Sequence, residues 1–72
     1  MSQQTKTAIP VLLKRRDVER MTTLSKAHIY ALIRANQFPS PVKLSAGSSV
    51  WLQSDVEQWI NDKINASKGG VQ

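Results

Sequence analysis

Ser25, Lys26, His28, Tyr30 and Arg34 bring a hydroxyl, an ammonium, an imidazole, a phenol and a guanidinium into ten consecutive residues. Each of these groups can donate a hydrogen bond to an anionic oxygen, and no carboxylate stands among them. The gap is wider still: between Glu19 and Asp55 there is no Asp or Glu, while Arg20, Lys26, Arg34 and Lys43 supply four cations. Such a set suits holding a polyanion. It does not suit catalysis, because no carboxylate lies near the lone His28 in sequence and a chain of 72 residues can hardly enclose a reaction pocket. There is no cysteine and no Gly-rich phosphate loop, and one histidine cannot build a metal site. The expectation is a protein that is not an enzyme and uses no cofactor and no metal.

Charge places the same weight on the same region. Residues 1–54 carry eight Lys/Arg against two Asp/Glu, a net +6, whereas residues 55–72 carry two against three, a net −1. Solvated surfaces normally mix both signs, so a one-sign region suggests a polyanionic partner, nucleic acid among them, although basic proteins without a nucleic-acid partner are common. A basic adaptor for an acidic protein would use the same patch. The absence of cysteine fits a reducing cytoplasm. The apolar run Ala8–Leu13 is short and broken by Pro10, too little for a signal peptide or a membrane span.

The elements that must position these groups can be read from spacing. Residues 1–8 are polar and unpatterned and read as a disordered tail, residues 9–65 as one folded domain, and residues 66–72 ("ASKGGVQ") as a flexible tail. "IPVLLKR" offers a short strand. "RRDVERM" spaces Val18 and Met21 three apart, enough for a two-turn helix, with Asp17 and Glu19 near its positive end. Thr22, Thr23 and Leu24 break the pattern, and Ser25 can cap a second helix, about 25–36, whose apolar stripe is Ile29, Leu32 and Ile33. Asn36 suits the left-handed stop, and Pro39 follows it.

"FPSPVKLSAGSSVWL" then predicts a hairpin over about 42–52. Val42 and Leu44 alternate with Lys43 and Ser45, Val50, Trp51 and Leu52 return, and Gly47 sits in a small-residue tip. Ser54 with Glu57 forms an S-x-x-E capping box before a helix whose apolar face is Val56, Trp59, Ile60 and Ile64. Both tryptophans sit among aliphatic residues and are assigned to the core rather than to base stacking.

Two helices joined by a three-residue turn, the second poor in carboxylate, followed by a hairpin, describe a winged helix-turn-helix: mainly α, three helices plus a small β-hairpin. In that motif the second helix enters the major groove, and a wing reaches the adjacent backbone or minor groove. A helix pressed against phosphates does not tolerate a carboxylate there. At about 100° per residue, Ala27, Tyr30, Ala31 and Arg34 point away from the apolar stripe, with Lys26 and His28 beside them.

Most of the candidates have a plainer alternative. Ala27 and Ala31 either let the backbone approach DNA or serve helix propensity. Tyr30 either donates to a phosphate or tucks its ring against the wing. His28 either reads a base or phosphate or is partly buried with a local partner. Arg34, two turns in, is a phosphate contact rather than a base reader. Thr23 and Ser25 can bond phosphates at the turn, although capping alone accounts for Ser25. Lys43, Ser45, Ser48 and Ser49 either touch the DNA backbone or form an ordinary polar loop. Arg16, at the start of the first helix, completes the candidate DNA-binding set.

The span "RRDVERMTTLSKAHIYALIRANQFPSPVKLSAGSSVWLQSDVEQWI" resembles the AlpA-type prophage regulators, relatives of excisionases and of MerR-like winged helix-turn-helix domains. "LSKAHIY", "FPSPVKL" and "SDVEQWI" carry the likeness. The resemblance implies sequence-specific binding of double-stranded DNA and transcriptional regulation of a prophage or integrative element in a bacterial, nucleoid-associated setting. It marks Ser25, Lys26, Ala27, His28 and Tyr30 as the recognition set. An excisionase-like architectural factor that directs an integrase needs the same fold, so integrase, RNA polymerase and cooperative neighbours on DNA are the implied protein partners. Three departures stand out: Thr22 and Thr23 where relatives place glycine in the turn, Asn36 and Gln37 where glycine often precedes "FP", and Ala31 where relatives often carry a basic residue.

Overall fold

The computed structural model describes residues 9–69. Its elements follow in the order β1 (Leu12–Leu13), α1 (Arg15–Thr22), α2 (Lys26–Arg34), β2 (Val42–Ser45), β3 (Ser48–Leu52) and α3 (Gln53–Gly69). Three helices and a three-stranded antiparallel sheet, ordered β1-β3-β2, make the mainly helical winged helix-turn-helix read from the pattern. The expected 1–8 tail lies outside the described residues, as do residues 70–72. α3 runs to Gly69, past the boundary drawn at 65, so Ala66–Lys68 are helical and exposed.

Register explains how a small sheet closes the core. Leu13 stands opposite Trp51, so both side chains share one face. That face meets Val18 of α1, Ile29 of α2, Phe38 of the connecting segment and Val56 of α3, which with Leu13 and Trp51 form the buried cluster. Each such side chain contributes about 1.5–3 kcal/mol when fully buried. Met21, Leu24, Leu32, Ile33, Trp59 and Ile60 pack around it half-buried. Strand β2 lies at the sheet edge with all four residues exposed, so the alternation of Val42 and Leu44 buries neither: they are 39% and 58% exposed.

Two residues reverse the chain at the C-terminal ends of the two helices of the helix-turn-helix. Thr23 and Asn36 both have φ of 63°. Asn36 closes α2 as its residue type suggests: its N–H donates to Ile33 O at 2.9 Å and that of Gln37 to Leu32 O at 2.8 Å, the paired bonds of a left-handed helix stop. Thr23 does the same for α1, donating its N–H to Glu19 O at 2.7 Å. A β-branched residue is rarely found there. The neighbouring hydroxyl helps hold the turn: Thr22 Oγ1 donates to Val18 O at 2.8 Å and accepts the Leu24 N–H at 3.2 Å.

The capping box at Ser54 is not formed. α3 starts at Gln53, one residue ahead of that signal. The Leu12–Leu52 pairing ends β3 at Leu52, and the Gln53 N–H is taken by Val11 O at 2.9 Å, so the chain turns directly from strand into helix. Glu57 instead accepts the Gln53 side-chain amide at 2.7 Å, and Ser54 is exposed in the first turn.

Candidate nucleic-acid interface

The carboxylates of the basic half are both engaged within α1. Asp17 accepts the Lys14 N–H at 3.1 Å and pairs with Arg20, while Glu19 pairs with Arg15 at 2.9 Å. Half-exposed pairs of this kind within one helix contribute little stability. What they do is consume charge: among the described residues of this half Lys14, Arg16, Lys26, Arg34 and Lys43 are left with no ion pair, and all five are exposed. The sequence counts Asp17 and Glu19 as partial relief of the basic region. Their i,i+3 and i,i+4 spacing to Arg20 and Arg15 is the signal that would have shown where that relief goes.

α2 begins at Lys26 with Ser25 as its cap, the Ser25 Oγ accepting the His28 N–H at 3.1 Å. The Ser25 O–H is still free to donate. No acidic residue stands in the first turn, so the positive end of the helix dipole is unopposed there. Lys26, Ala27, His28, Ala31 and Arg34 are all exposed, and Ile29 is fully buried on the opposite side. His28 is therefore not the partly buried histidine of the alternative reading. Thr23 is exposed at the turn, with its hydroxyl donating to Thr22 O. An open concavity of about 500 Å³ lies here, lined by Arg16, Glu19, Arg20, Thr23, Leu24 and Ser25.

Tyr30 takes the second of its two readings. Its ring packs edge-on against Trp51 of β3, with centroids 6.4 Å apart and planes at 61°. This contact seats α2 against the hairpin. The register then tells what shares that side: Lys43 pairs with Ser49, and Ser49 lies two residues before Trp51, so alternation puts both on the Trp51 face of the sheet. Ser45 and Ser48 pair nearer the tip, beyond an irregularity between Lys43 and Ser45. Ser48 and Ser49 are half-buried, and Ser45 is exposed.

The candidate residues thus fall into two groups. Arg16 of α1, with Thr23, Ser25, Lys26, Ala27, His28, Ala31 and Arg34 of the turn and the outward side of α2, makes the first; Lys43, Ser45, Ser48 and Ser49 of the hairpin make the second. Tyr30 and Trp51 join them. Sequence reasoning assigned Trp51 to the core correctly but missed that it orients Tyr30, because no local spacing links positions 30 and 51.

Among the described residues no group of His, Cys, Asp and Glu is arranged to hold a metal, and no helix is long and apolar enough to cross a membrane. Comparison with known proteins adds a lineage. A family model described as the prophage CP4-57 regulatory protein (AlpA) matches residues 11–64, from β1 through most of α3. The uncharacterized protein ORF88 of Enterobacteria phage P4 is similar at 37% identity over 54 residues, 75% of this chain and 61% of that protein. The chain spans about three-fifths of the length of that relative.

Proposed function

The chain belongs to the prophage AlpA regulatory family, and on that premise we propose that it binds double-stranded DNA and regulates a prophage or integrative element. One observation carries the proposal: α2 presents Lys26, Ala27, His28, Ala31 and Arg34 outward with no carboxylate, while both carboxylates of α1 are held in ion pairs. In this reading α2 lies in the major groove. Ser25, Lys26, Ala27 and His28 approach base edges near the helix N-terminus, and Arg34 contacts phosphate further along. Arg16 and Thr23 border the concavity beside them and reach the DNA backbone, while Lys43, Ser45, Ser48 and Ser49 bring the wing to the adjacent backbone or minor groove. Tyr30 acts through its packing on Trp51, with its hydroxyl free to donate to a phosphate.

A single module of this kind covers roughly 600–1,000 Å² of DNA. Useful specificity then comes from repeated sites, cooperative neighbours, or a partner such as integrase or RNA polymerase.

Fluorescence anisotropy with random and promoter-derived duplexes across a salt series tests the proposal. A steep negative slope with a preferred duplex is the expected result. A steep slope without preference would favour an excisionase-like architectural factor. No binding at low salt would overturn DNA binding and turn the basic surface toward an acidic protein.

A further inference from the structure

A second concavity, about 370 Å³ and open, is lined by none of the residues assigned to DNA. It is lined by Asn36, Phe38, Pro39, Asp55, Gln58 and Trp59. Its apolar part is made by Phe38 and Trp59, whose rings meet edge-on at 4.9 Å and 65°, together with Pro39. Trp59 is only half-buried, although its indole N–H is already satisfied by Gln37 O at 2.8 Å. An aromatic surface of this size therefore stays open for a reason other than an unmet hydrogen bond.

The charge around the groove selects what fits it. None of Asp55, Glu57 and Asp62 forms an ion pair among the described residues, in contrast to the two carboxylates of α1. Glu57 accepts the Gln53 amide and Asp62 the Gln58 amide at 2.9 Å, whereas Asp55, at the groove rim, accepts no side-chain hydrogen bond there. The Trp59 ring also receives a cation from the chain itself, Lys63 Nζ standing 5.6 Å from its centroid. Lys63 does not line the groove. An indole surface beside a free carboxylate attracts an ammonium or guanidinium on an apolar stem. The same carboxylate repels phosphate, so DNA and anionic lipid are poor occupants.

We propose that the groove between Phe38, Pro39 and Trp59 docks a basic segment of a partner protein, with one cationic side chain seated between Asp55 and Trp59. The chain then has two faces of opposite preference: a carboxylate-free one on α2 and a cation-accepting one where α3 meets the segment leaving α2. This does not rest on the DNA reading, since no proposed DNA contact lines the groove.

The test is an NMR titration of the intact chain with the peptide acetyl-Ala-Arg-Leu-Arg-Ala-amide, set against the same peptide with citrulline in place of arginine. The two indole N–H resonances serve as reporter and internal control, because Trp51 is 1% exposed and Trp59 lines the groove. The Trp59 resonance should move with the arginine peptide while that of Trp51 stays. Asp55→Asn should weaken the titration about three-fold, the loss expected for an exposed ion pair, and Gln58→Lys, which sets a cation beside the rim, should weaken it too.

Both substitutions are at exposed positions, and retained dispersion of the two indole signals confirms the fold. Equal shifts with the citrulline peptide, an unchanged titration in Asp55→Asn, or no movement of Trp59 would overturn the proposal. So would sedimentation showing that the chain associates with itself and that Asp55→Asn abolishes it, since the occupant would then be a second copy.

Discussion

Trp59 donates its indole N–H to the carbonyl of Gln37 at 2.8 Å, across 22 positions of sequence. Trp51 does the same to Pro39 at 3.0 Å. The two acceptors flank buried Phe38, so the segment leaving α2 is held at both carbonyls by side chains from β3 and α3. The orientation of the helix is fixed by the hairpin and the last helix together.

The two tryptophans should differ in what they contribute. Trp51 is fully buried, and Trp51→Ala is expected to cost about 3–5 kcal/mol, comparable to all the stability a core of this size supplies. Trp59 is half-buried, so its loss costs less than burial of a whole indole would imply. Trp59→Phe keeps the ring contact with Phe38 and removes the bond to Gln37, a loss of about 0.5–1.5 kcal/mol. Chemical denaturation should show Trp51→Ala largely unfolded in buffer and Trp59→Phe folded with a lowered midpoint. The reverse order would refute this division.

Thr23 adopts φ of 63°, which costs an L-residue roughly 1–2 kcal/mol. Glycine removes that strain and gives back about 0.5–1 kcal/mol in backbone entropy. Thr23→Gly should therefore stabilise the domain slightly, by up to about 1 kcal/mol. The Thr22 hydroxyl and the Glu19 carbonyl keep their bonds, since neither uses the Thr23 side chain, and only the exposed bond from the Thr23 hydroxyl to the adjacent Thr22 carbonyl is lost. If the Thr23 hydroxyl also meets a phosphate, duplex affinity should fall while the urea midpoint rises. A lowered midpoint would mean that the threonine side chain supports the turn.

How far the structure could be foreseen depends on whether the cause was local. Ser25 and Asn36 act on their own helix ends, and both were legible from residue type and position. The apolar stripe of α2 was equally local. Ser54 failed because the start of α3 is set by pairing of β1 with β3, a contact between residues far apart. Tyr30 stayed open between two readings for the same reason: its partner, Trp51, lies across a hairpin. Val42 and Leu44 alternate like core residues but belong to an edge strand, and only the sheet order reveals that. In the interface, the free cations could be counted, yet which of them Asp17 and Glu19 would neutralise required the i,i+3 and i,i+4 geometry of α1.

The hairpin tip makes a different use of glycine. Neither Ala46 nor Gly47 has a positive φ, and a Cβ added at Gly47 would meet nothing within 4 Å. Glycine is therefore not required by the backbone there. Gly47→Ala should leave the fold intact and stabilise it by about 0.4–1 kcal/mol through a less flexible unfolded chain. Thermal denaturation checks the sign. A clear destabilisation would mean that the tip visits a left-handed conformation.

Arg34 and Ala31 lie three apart on the exposed side of α2 and offer opposite tests of the proposed groove face. Arg34 forms no ion pair among the described residues, so Arg34→Ala costs the fold little. Each phosphate contact adds about 0.9 to the slope of log affinity against log salt. Arg34→Ala should flatten that slope by about this amount and weaken all duplexes alike, because a phosphate contact carries no sequence information. Ala31→Lys adds a cation to the same side and should steepen the slope by a similar amount, at a cost of only about 0.3 kcal/mol in helix propensity at an exposed position. The two changes together should restore the original slope. If Arg34→Ala instead altered which duplex is preferred, Arg34 would be reading bases and the helix would enter the groove by its C-terminal half. If neither change moved the slope, α2 would not face DNA at all.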